Sequence, residues 1–112
     1  MSIAVPIDDL PAAIEQQIGW CYLLSVTDRS EPRVLAIAPH WAVGGVLRAD
    51  LGGGTAANVR ARPNCTLVYP PAYAEGLSLI VDGTATIDGV TMSFEPATAV
   101  MHRAVVASPS TG

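Results

Sequence analysis

Residues 44–71 read GGVLRADLGGGTAANVRARPNCTLVYPP, and this stretch decides the fold class. The paired glycines at its start predict a tight hairpin turn that leads into a strand over residues 46–51. Three glycines then open a short helix from Thr55 to Arg62, and another strand follows at residues 65–69. A helix that crosses between these two strands would divide a β-barrel, so the stretch predicts a split barrel.

Apolar and β-branched runs outside this stretch predict four further strands, at residues 20–27, 33–42, 77–87 and 90–94. Within the N-terminal region, residues 1–18, a short helix is predicted from about residue 10. Another helix is predicted to begin near residue 96, because apolar side chains recur after it at helical spacing: Ala97, Val100, Met101, Ala104 and Val105. Residues 108–112 are predicted to be a flexible tail. The fold class is therefore mainly β, a six-stranded antiparallel split β-barrel with flanking helices, forming a single domain over residues 1–112.

The composition indicates one hydrophobic core and a partner. The chain has 112 residues, of which half are apolar and only 14% are charged, and its net charge is −4. A chain of this length supports one core but not two. With so few charged side chains, apolar groups must remain on the surface of a single copy, which predicts a homodimer.

Composition and sequence patterns also argue against several classes of protein. The acidic balance and the absence of a basic run argue against nucleic-acid binding. We expect neither a signal peptide nor a membrane helix, because the first residues lack a charged and apolar leader and no apolar stretch approaches the ~20 residues that a bilayer requires. Cys21 and Cys65 are isolated, which indicates reduced thiols in a cytoplasmic protein, and the two histidines are too far apart in sequence to suggest a metal site.

The glycine-rich bend is a candidate cradle for a phosphate. Glycines let the backbone approach an anion closely, and the helix that follows presents unpaired N–H groups. Arginine is the preferred phosphate partner, and Arg48 precedes the bend. The candidate residues are Arg48, Gly53, Gly54, Thr55, Asn58 and Arg62, with Thr55 also expected to cap the helix. The alternative is a capped turn with solvated arginines.

A second candidate site is the segment Pro39-His40-Trp41. A proline interrupts strand pairing and can expose the two side chains that follow it. Trp41 could offer a flat face to a ring, and His40 a hydrogen-bond donor or acceptor. The alternative is that Trp41 belongs to the core or to a dimer interface.

The order of these motifs resembles the pyridoxamine 5′-phosphate oxidase-like family of flavin-binding split β-barrels. The resemblance is carried by three stretches: VLAIAPHWA at 34–42, the stretch at 44–71, and LSLIVDGTATI at 77–87. Because every basic residue is arginine and the helices are rich in alanine, the chain looks like a short actinobacterial version.

The resemblance implies a homodimer that binds FMN, or the deazaflavin coenzyme F-420, at the seam between its two copies. It implies phosphate contacts from Arg48, Thr55 and Asn58. The ring would lie against Pro39, His40 and Trp41, and Tyr69 and Tyr73 of the second copy would close the site.

Two departures from the family pattern leave two functions open. The family often has a basic residue at the start of the crossing helix, where this chain has Gly54 and Thr55, and the longer C-terminal part of the true oxidases is absent. One interpretation is a flavin- or deazaflavin-dependent oxidoreductase of unknown substrate, with no catalytic residue assigned. The other is a non-catalytic split-barrel dimer with no bound cofactor, which binds a small anion or a protein.

Overall fold

A computed structural model describes residues 2–105 of the chain. Antiparallel strands account for most of this region, and two helices flank them. The strands are β1 (Ser2–Val5), β2 (Cys21–Val26), β3 (Pro32–Ile37), β4 (His40–Ala42), β5 (Val46–Asp50), β6 (Asn64–Tyr69), β7 (Leu77–Asp88) and β8 (Thr91–Arg103). The helices are α1 (Leu10–Glu15) and α2 (Gly53–Ala61), and a 3-10 turn at Ile7–Asp9 precedes α1. The predicted tail at 108–112 lies outside the described residues.

The eight strands form one sheet that curls into a split barrel. Its strand order is β3-β2-β6-β7-β8-β5-β4, with β1 paired to the far part of β8. β3 and β4 are therefore opposite edges of this order, yet only Ala38 and Pro39 join them. Two linking residues span at most roughly 11 Å between Ile37 and His40, so the two edges must approach each other. The predicted mainly β split barrel is confirmed.

The core lies inside the curled sheet and under α2. Strands alternate between inward and outward side chains, and β2 shows this without interruption, since Cys21, Leu23 and Ser25 are buried while the residues between them are exposed. The largest core side chains are those of Tyr69, Phe94, Leu10, Leu23, Leu47, Leu67, Leu79 and Met92. Helix α2 packs Ala56 and Val59 against β7 and β2. No helix within residues 2–105 is long and apolar enough to span a membrane.

Eight strands are present in residues 2–105, whereas the sequence predicts six. All six predicted strands occur, but the one at 33–42 is divided at Pro39 into β3 and β4. Proline has no N–H to donate to a neighbouring strand, so pairing stops there and the chain changes from one sheet edge to the other. The remaining additional strand is β1.

In the N-terminal region, residues 1–18, the predicted helix begins near residue 10 as expected, but it ends earlier and a strand precedes it. Residues Ser2–Val5 form β1, which pairs with Ala99–His102 of β8, and the helix is confined to Leu10–Glu15. A residue that precedes a proline favours an extended backbone, and Val5 precedes Pro6. The segment after α1 is fixed by Gln17, whose Nε2 donates hydrogen bonds to the carbonyl oxygens of Leu77 (2.8 Å) and Tyr69 (3.2 Å).

The predicted helix after residue 96 is wrong, because these residues form the second half of β8. They pair with β7 on one side and β1 on the other. A β-bulge between Asp82 and Gly83 shifts the register opposite this part of β8, so its buried positions change from Met92 and Phe94 to Ala99. Because the alternation of inward and outward residues changes phase at the bulge, the apolar residues of this strand have spacings similar to those on one face of a helix. This similarity explains the incorrect helix prediction.

The bulge predicts opposite effects for two glycine-to-alanine changes. A Cβ on Gly83 would overlap the carbonyl oxygen of Glu95 and come within 2.6 Å of Phe94 Cζ, whereas a Cβ on Gly54 in α2 would meet nothing within 4 Å. Gly83→Ala should lower the free energy of unfolding by about 2–3 kcal/mol through overpacking. Gly54→Ala should raise it by about 0.5–1 kcal/mol through helix propensity. Urea unfolding measures both, and equal effects of the two changes would contradict the assigned bulge packing.

Candidate functional site

The most functionally suggestive surface is a cleft at the point where the barrel closes. It has a volume of about 470 Å³ and is bordered by the end of β3, by β4 and β5, and by the first residue of β8. Its lining residues are Ala36, Ile37, Ala38, His40, Arg48, Ala49, Asp50 and Thr91. We call it the Arg48 cleft. Volumes of this size are typical of pockets that bind small molecules.

Arg48 is placed in this cleft by the alternation of β5. Its neighbour Leu47 is buried, so Arg48 projects from the outer surface of the sheet, directly opposite His40 on β4 and Ser93 on β8. Arg48 Nε donates a hydrogen bond to Ser93 Oγ at 3.3 Å. Within residues 2–105 no side chain pairs with its terminal NH groups as an ion pair, so these donors can serve an anion.

The cleft also holds a carboxylate. Asp50 lies two residues after Arg48 on the same outward face of β5, and its Oδ1 accepts a hydrogen bond from Thr91 Oγ1 at 2.7 Å. The negative charge of Asp50 offsets the positive charge of the Arg48 guanidinium when the charges of the whole cleft are added. The site therefore combines one permanent cation, one carboxylate and the imidazole of His40.

The glycine bend is open, as a phosphate cradle requires. Gly52, Gly53 and Gly54 are exposed, and a Cβ added to any of them would meet no atom within 4 Å. Gly52 is the N-cap of α2 in an extended conformation, and no side chain caps the helix. The first N–H groups of α2 therefore keep no helical partner, which is the arrangement that favours anions.

Thr55 does not cap the helix, although the sequence predicts that it does. The helix begins at Gly53, two residues earlier than the sequence predicts, because the extended backbone of Gly52 supplies the cap position. Thr55 is thus inside the first turn, half-buried, and Asn58 follows one turn later, also half-buried.

Arg60 and Arg62 form hydrogen bonds away from the Arg48 cleft. Arg62 Nε donates to the carbonyl oxygen of Val26 at 2.8 Å, and Arg60 donates to the carbonyl oxygen of Gly89 at 3.2 Å. Neither residue lines the Arg48 cleft. These hydrogen bonds attach the last turn of α2 to the end of β2 and to the β7–β8 turn.

Pro39, His40 and Trp41 do not form one wall. His40 lines the Arg48 cleft and Pro39 lies in the link beside it, but Trp41 lines a different cleft together with Ile7 and Pro11. Neighbouring residues of a strand point to opposite sides of a sheet, so a strand through His40 and Trp41 separates them. The predicted grouping of these two side chains is therefore wrong.

Sequence reasoning did not select Asp50, Thr91 or Ser93 for this site. The period of two along β5 already puts Asp50 beside Arg48, so that signal was present in the sequence. Thr91 and Ser93 reach the cleft through the register between β5 and β8, which pairs Asp50 with Thr91 and Arg48 with Ser93. A register between strands so distant in the chain cannot be read from one sequence.

The two cysteines are buried, which disfavours their reactive thiolate form. Burial raises the pKa of Cys21 and of Cys65 to about 11 each. Burial, and then the neighbouring Cys21, also raise the pKa of Tyr69. Tyr69 is 2% exposed, so it cannot close a site on a second copy as the family resemblance implies, whereas Tyr73 is 67% exposed. Residues 2–105 contain no group of three or more side chains that could hold a metal ion.

Comparison with known proteins supports the fold. No family model and no curated protein matches the sequence. Among solved structures, a Listeria innocua protein classed as a pyridoxamine 5′-phosphate oxidase matches with a TM-score of 0.67 at 16% identity, over 85% of this chain and 96% of that one. A protein described as an F-420 reductase matches with a TM-score of 0.55 at 13% identity, over 83% of this chain and 92% of that one.

The chain has the same split β-barrel fold as these two solved structures. At these sequence identities the likeness shows the fold alone. The structural resemblance covers most of the chain, as the sequence motifs predict.

The raised thiol pKa values predict that stability falls at high pH. In the unfolded chain the thiols ionise near their ordinary pKa of 9.0, whereas in the folded protein they ionise near 11. The stabilising contribution is therefore complete below about pH 9 and is lost as the pH rises toward 11. Urea midpoints measured between pH 8 and pH 11 should decrease over that window, and less steeply in a Cys65→Ala variant. An unchanged midpoint up to pH 11 would contradict the burial of the thiols.

Proposed function

We propose that this protein is a flavin- or deazaflavin-binding oxidoreductase that works as a cytoplasmic homodimer, with FMN as the first candidate cofactor and coenzyme F-420 as the second. The observation that carries the proposal is the Arg48 cleft, where an outward guanidinium and an imidazole border a pocket at the closure of a split barrel.

Arg48 would hold the phosphate end of the cofactor from the cleft, and the start of α2, none of whose residues lines that cleft, would add N–H donors. Arginine binds phosphate through charge-assisted hydrogen bonds, and the open bend at Gly53 and Gly54 lets an anion approach the N–H groups of the first helical turn. Thr55 and Asn58 add a hydroxyl and an amide on the same helix. Arg62 is left out of the contact set, because its Nε already binds the Val26 carbonyl.

The ring end would lie along the link between β3 and β4. Ala36, Ile37 and Ala38 supply an apolar wall, and Pro39 makes the backbone there rigid. His40 supplies a hydrogen bond from the neighbouring position. A flavin-type cofactor supplies hydride transfer when bound, while the protein supplies binding and orientation. Trp41 is left out of this wall because it lines the other cleft.

The second copy would cover the outer face of β2 and β3. In an antiparallel sheet with one face in water, outward side chains are normally polar. Here the outward residues of β2 are Tyr22, Leu24 and Val26, which are 37–39% exposed, and Val34 of β3 is 62% exposed. Ala36 pairs with Tyr22 on this face and also lines the Arg48 cleft. A copy bound to this face would therefore also border the cleft.

A non-catalytic dimer is the second candidate function. It is favoured by the charges of the cleft, where Asp50 opposes Arg48 and no other arginine is among the lining residues. A cleft with one cation can hold a small anion without holding a cofactor of the size of FMN or F-420 firmly. Cofactor binding by the purified dimer decides between the two functions.

Cofactor titration with matched arginine variants tests the proposed function. Purified protein should quench the fluorescence of added FMN, or change that of F-420, to saturation. Arg48→Ala should weaken binding by about 1–3 kcal/mol, because it removes a charge-assisted hydrogen bond. Arg29→Ala, which removes an equal charge from the β2–β3 turn, should leave binding unchanged. Failure of both cofactors to bind the wild-type protein would exclude the oxidoreductase, and equal loss in both variants would exclude the Arg48 cleft as the site.

Sedimentation of surface variants tests the dimer. The wild-type protein should sediment with twice the 11.6 kDa mass of one chain. Leu24→Lys should give monomers, because it places a charge in the centre of the apolar face. Val43→Lys is the matched control, since Val43 is 98% exposed on the β4–β5 turn and away from that face. A wild-type protein that remains monomeric at all concentrations would refute the dimer.

A further inference from the structure

A second cleft opens on the other side of β4 from His40. It has a volume of about 420 Å³ and is built from four separate segments: the 3-10 turn with the start of α1, strand β4, the β4–β5 turn, and β8 at its bulge. Its lining residues are Ile7, Asp8, Pro11, Trp41, Gly44, Gly45, Glu95 and Pro96. We call it the Trp41 cleft. None of its residues lines the Arg48 cleft.

The charge of the Trp41 cleft is negative. Its two ionisable lining residues are the carboxylates of Asp8 and Glu95, and no basic residue is among the lining set. Within the described part of the chain neither carboxylate takes part in an ion pair, since the one ion pair there joins Arg33 to Glu31. The cleft therefore presents two carboxylates that form no ion pair within residues 2–105.

The rest of the lining is aromatic and apolar. Trp41 is 36% exposed at the cleft, and Ile7, Pro11 and Pro96 supply aliphatic surface. The face of an indole attracts cations, and quaternary ammonium groups are the ligands that proteins most typically recognise in this way. A hard metal ion instead needs about six oxygen ligands, and two carboxylates beside prolines and a tryptophan do not provide them.

The position of Trp41 is fixed by the strands around it. Trp41 pairs with Leu47 across the β4–β5 hairpin, and Leu47 is 1% exposed and pairs in turn with the fully buried Phe94. The indole is thus held against the core at one edge while its remaining surface faces the cleft. A site whose aromatic group is positioned before binding loses less entropy on binding.

We propose that the Trp41 cleft binds an organic cation, an alkylated ammonium group of about the size of choline. The indole of Trp41 contacts the charged head, Asp8 and Glu95 supply the opposite charge, and the prolines contact the alkyl substituents. This site is separate from the proposed cofactor site, because no residue lines both clefts.

Choline and its uncharged analogue 3,3-dimethyl-1-butanol provide the test, with the full chain labelled for protein-observed NMR. Choline should shift the Trp41 indole N–H signal and the amide signals of Gly44 and Gly45 to saturation, and the uncharged alcohol of the same shape should not. Glu95→Gln and Asp8→Asn should each weaken choline binding about threefold, and Trp41→Leu about fivefold. Both carboxylates are exposed, so these variants should fold as the wild type does.

The matched control is Glu75→Gln, which removes an exposed carboxylate from the loop before β7 and should leave choline binding unchanged. Equal shifts with choline and the alcohol would overturn the proposal, because they would show a purely apolar contact. Wild-type affinity in Glu95→Gln and Asp8→Asn, or absence of any choline-dependent shift, would also overturn it. The readout does not involve FMN or F-420, so its failure and the failure of the proposed oxidoreductase are separate results.

Discussion

The short link of Ala38 and Pro39 is the constraint on which the rest of the structure depends. β3 and β4 are opposite edges of the strand order, and two residues can connect them only if the sheet curls until those edges approach. The curl encloses the core and brings the end of β3 beside the outward residues of β5. The Arg48 cleft therefore exists because the barrel closes at a proline that cannot continue the pairing.

The parts of the fold that depend on local chemistry could be predicted from the sequence. The strand pattern of residues 20–27, the glycine turn before β5 and the glycine-led helix are each set by neighbours in the chain, and the structure has all three. The helix predicted after residue 96 failed because the pairing that decides it is distant in the chain: Gly83 of β7 pairs with Pro96 and Asp82 with Thr98, which leaves Ala97 unpaired and changes the phase of β8. A single sequence contains the apolar spacing but not the partner strand that explains it.

The features of the candidate site also divide into those that the sequence could predict and those that it could not. Arg48 and His40 could be selected from residue type and from the proline before His40, and the structure places them opposite each other. The grouping of His40 with Trp41 could have been rejected by counting, since adjacent strand residues face opposite sides. Arg62 could not be judged from its sequence, because its partner is a backbone carbonyl on β2 that only the packing of α2 brings near.

The two clefts differ in charge, since Arg48 and Asp50 offset each other in one and two carboxylates line the other, and both border the same edge strand of three residues, so the turn that holds this strand affects both. Gly44 and Gly45 have φ angles of 91° and 73°, in the left-handed region that residues with a side chain adopt only under strain. These angles fix the hairpin in which His40 faces Arg48 and Trp41 faces Leu47. A side chain at either glycine would meet no neighbouring atom, so the requirement for glycine is conformational and not steric. The backbone geometry of Gly44 and Gly45, which carry no charge themselves, thus maintains the positions of the charged residues at this end of the barrel.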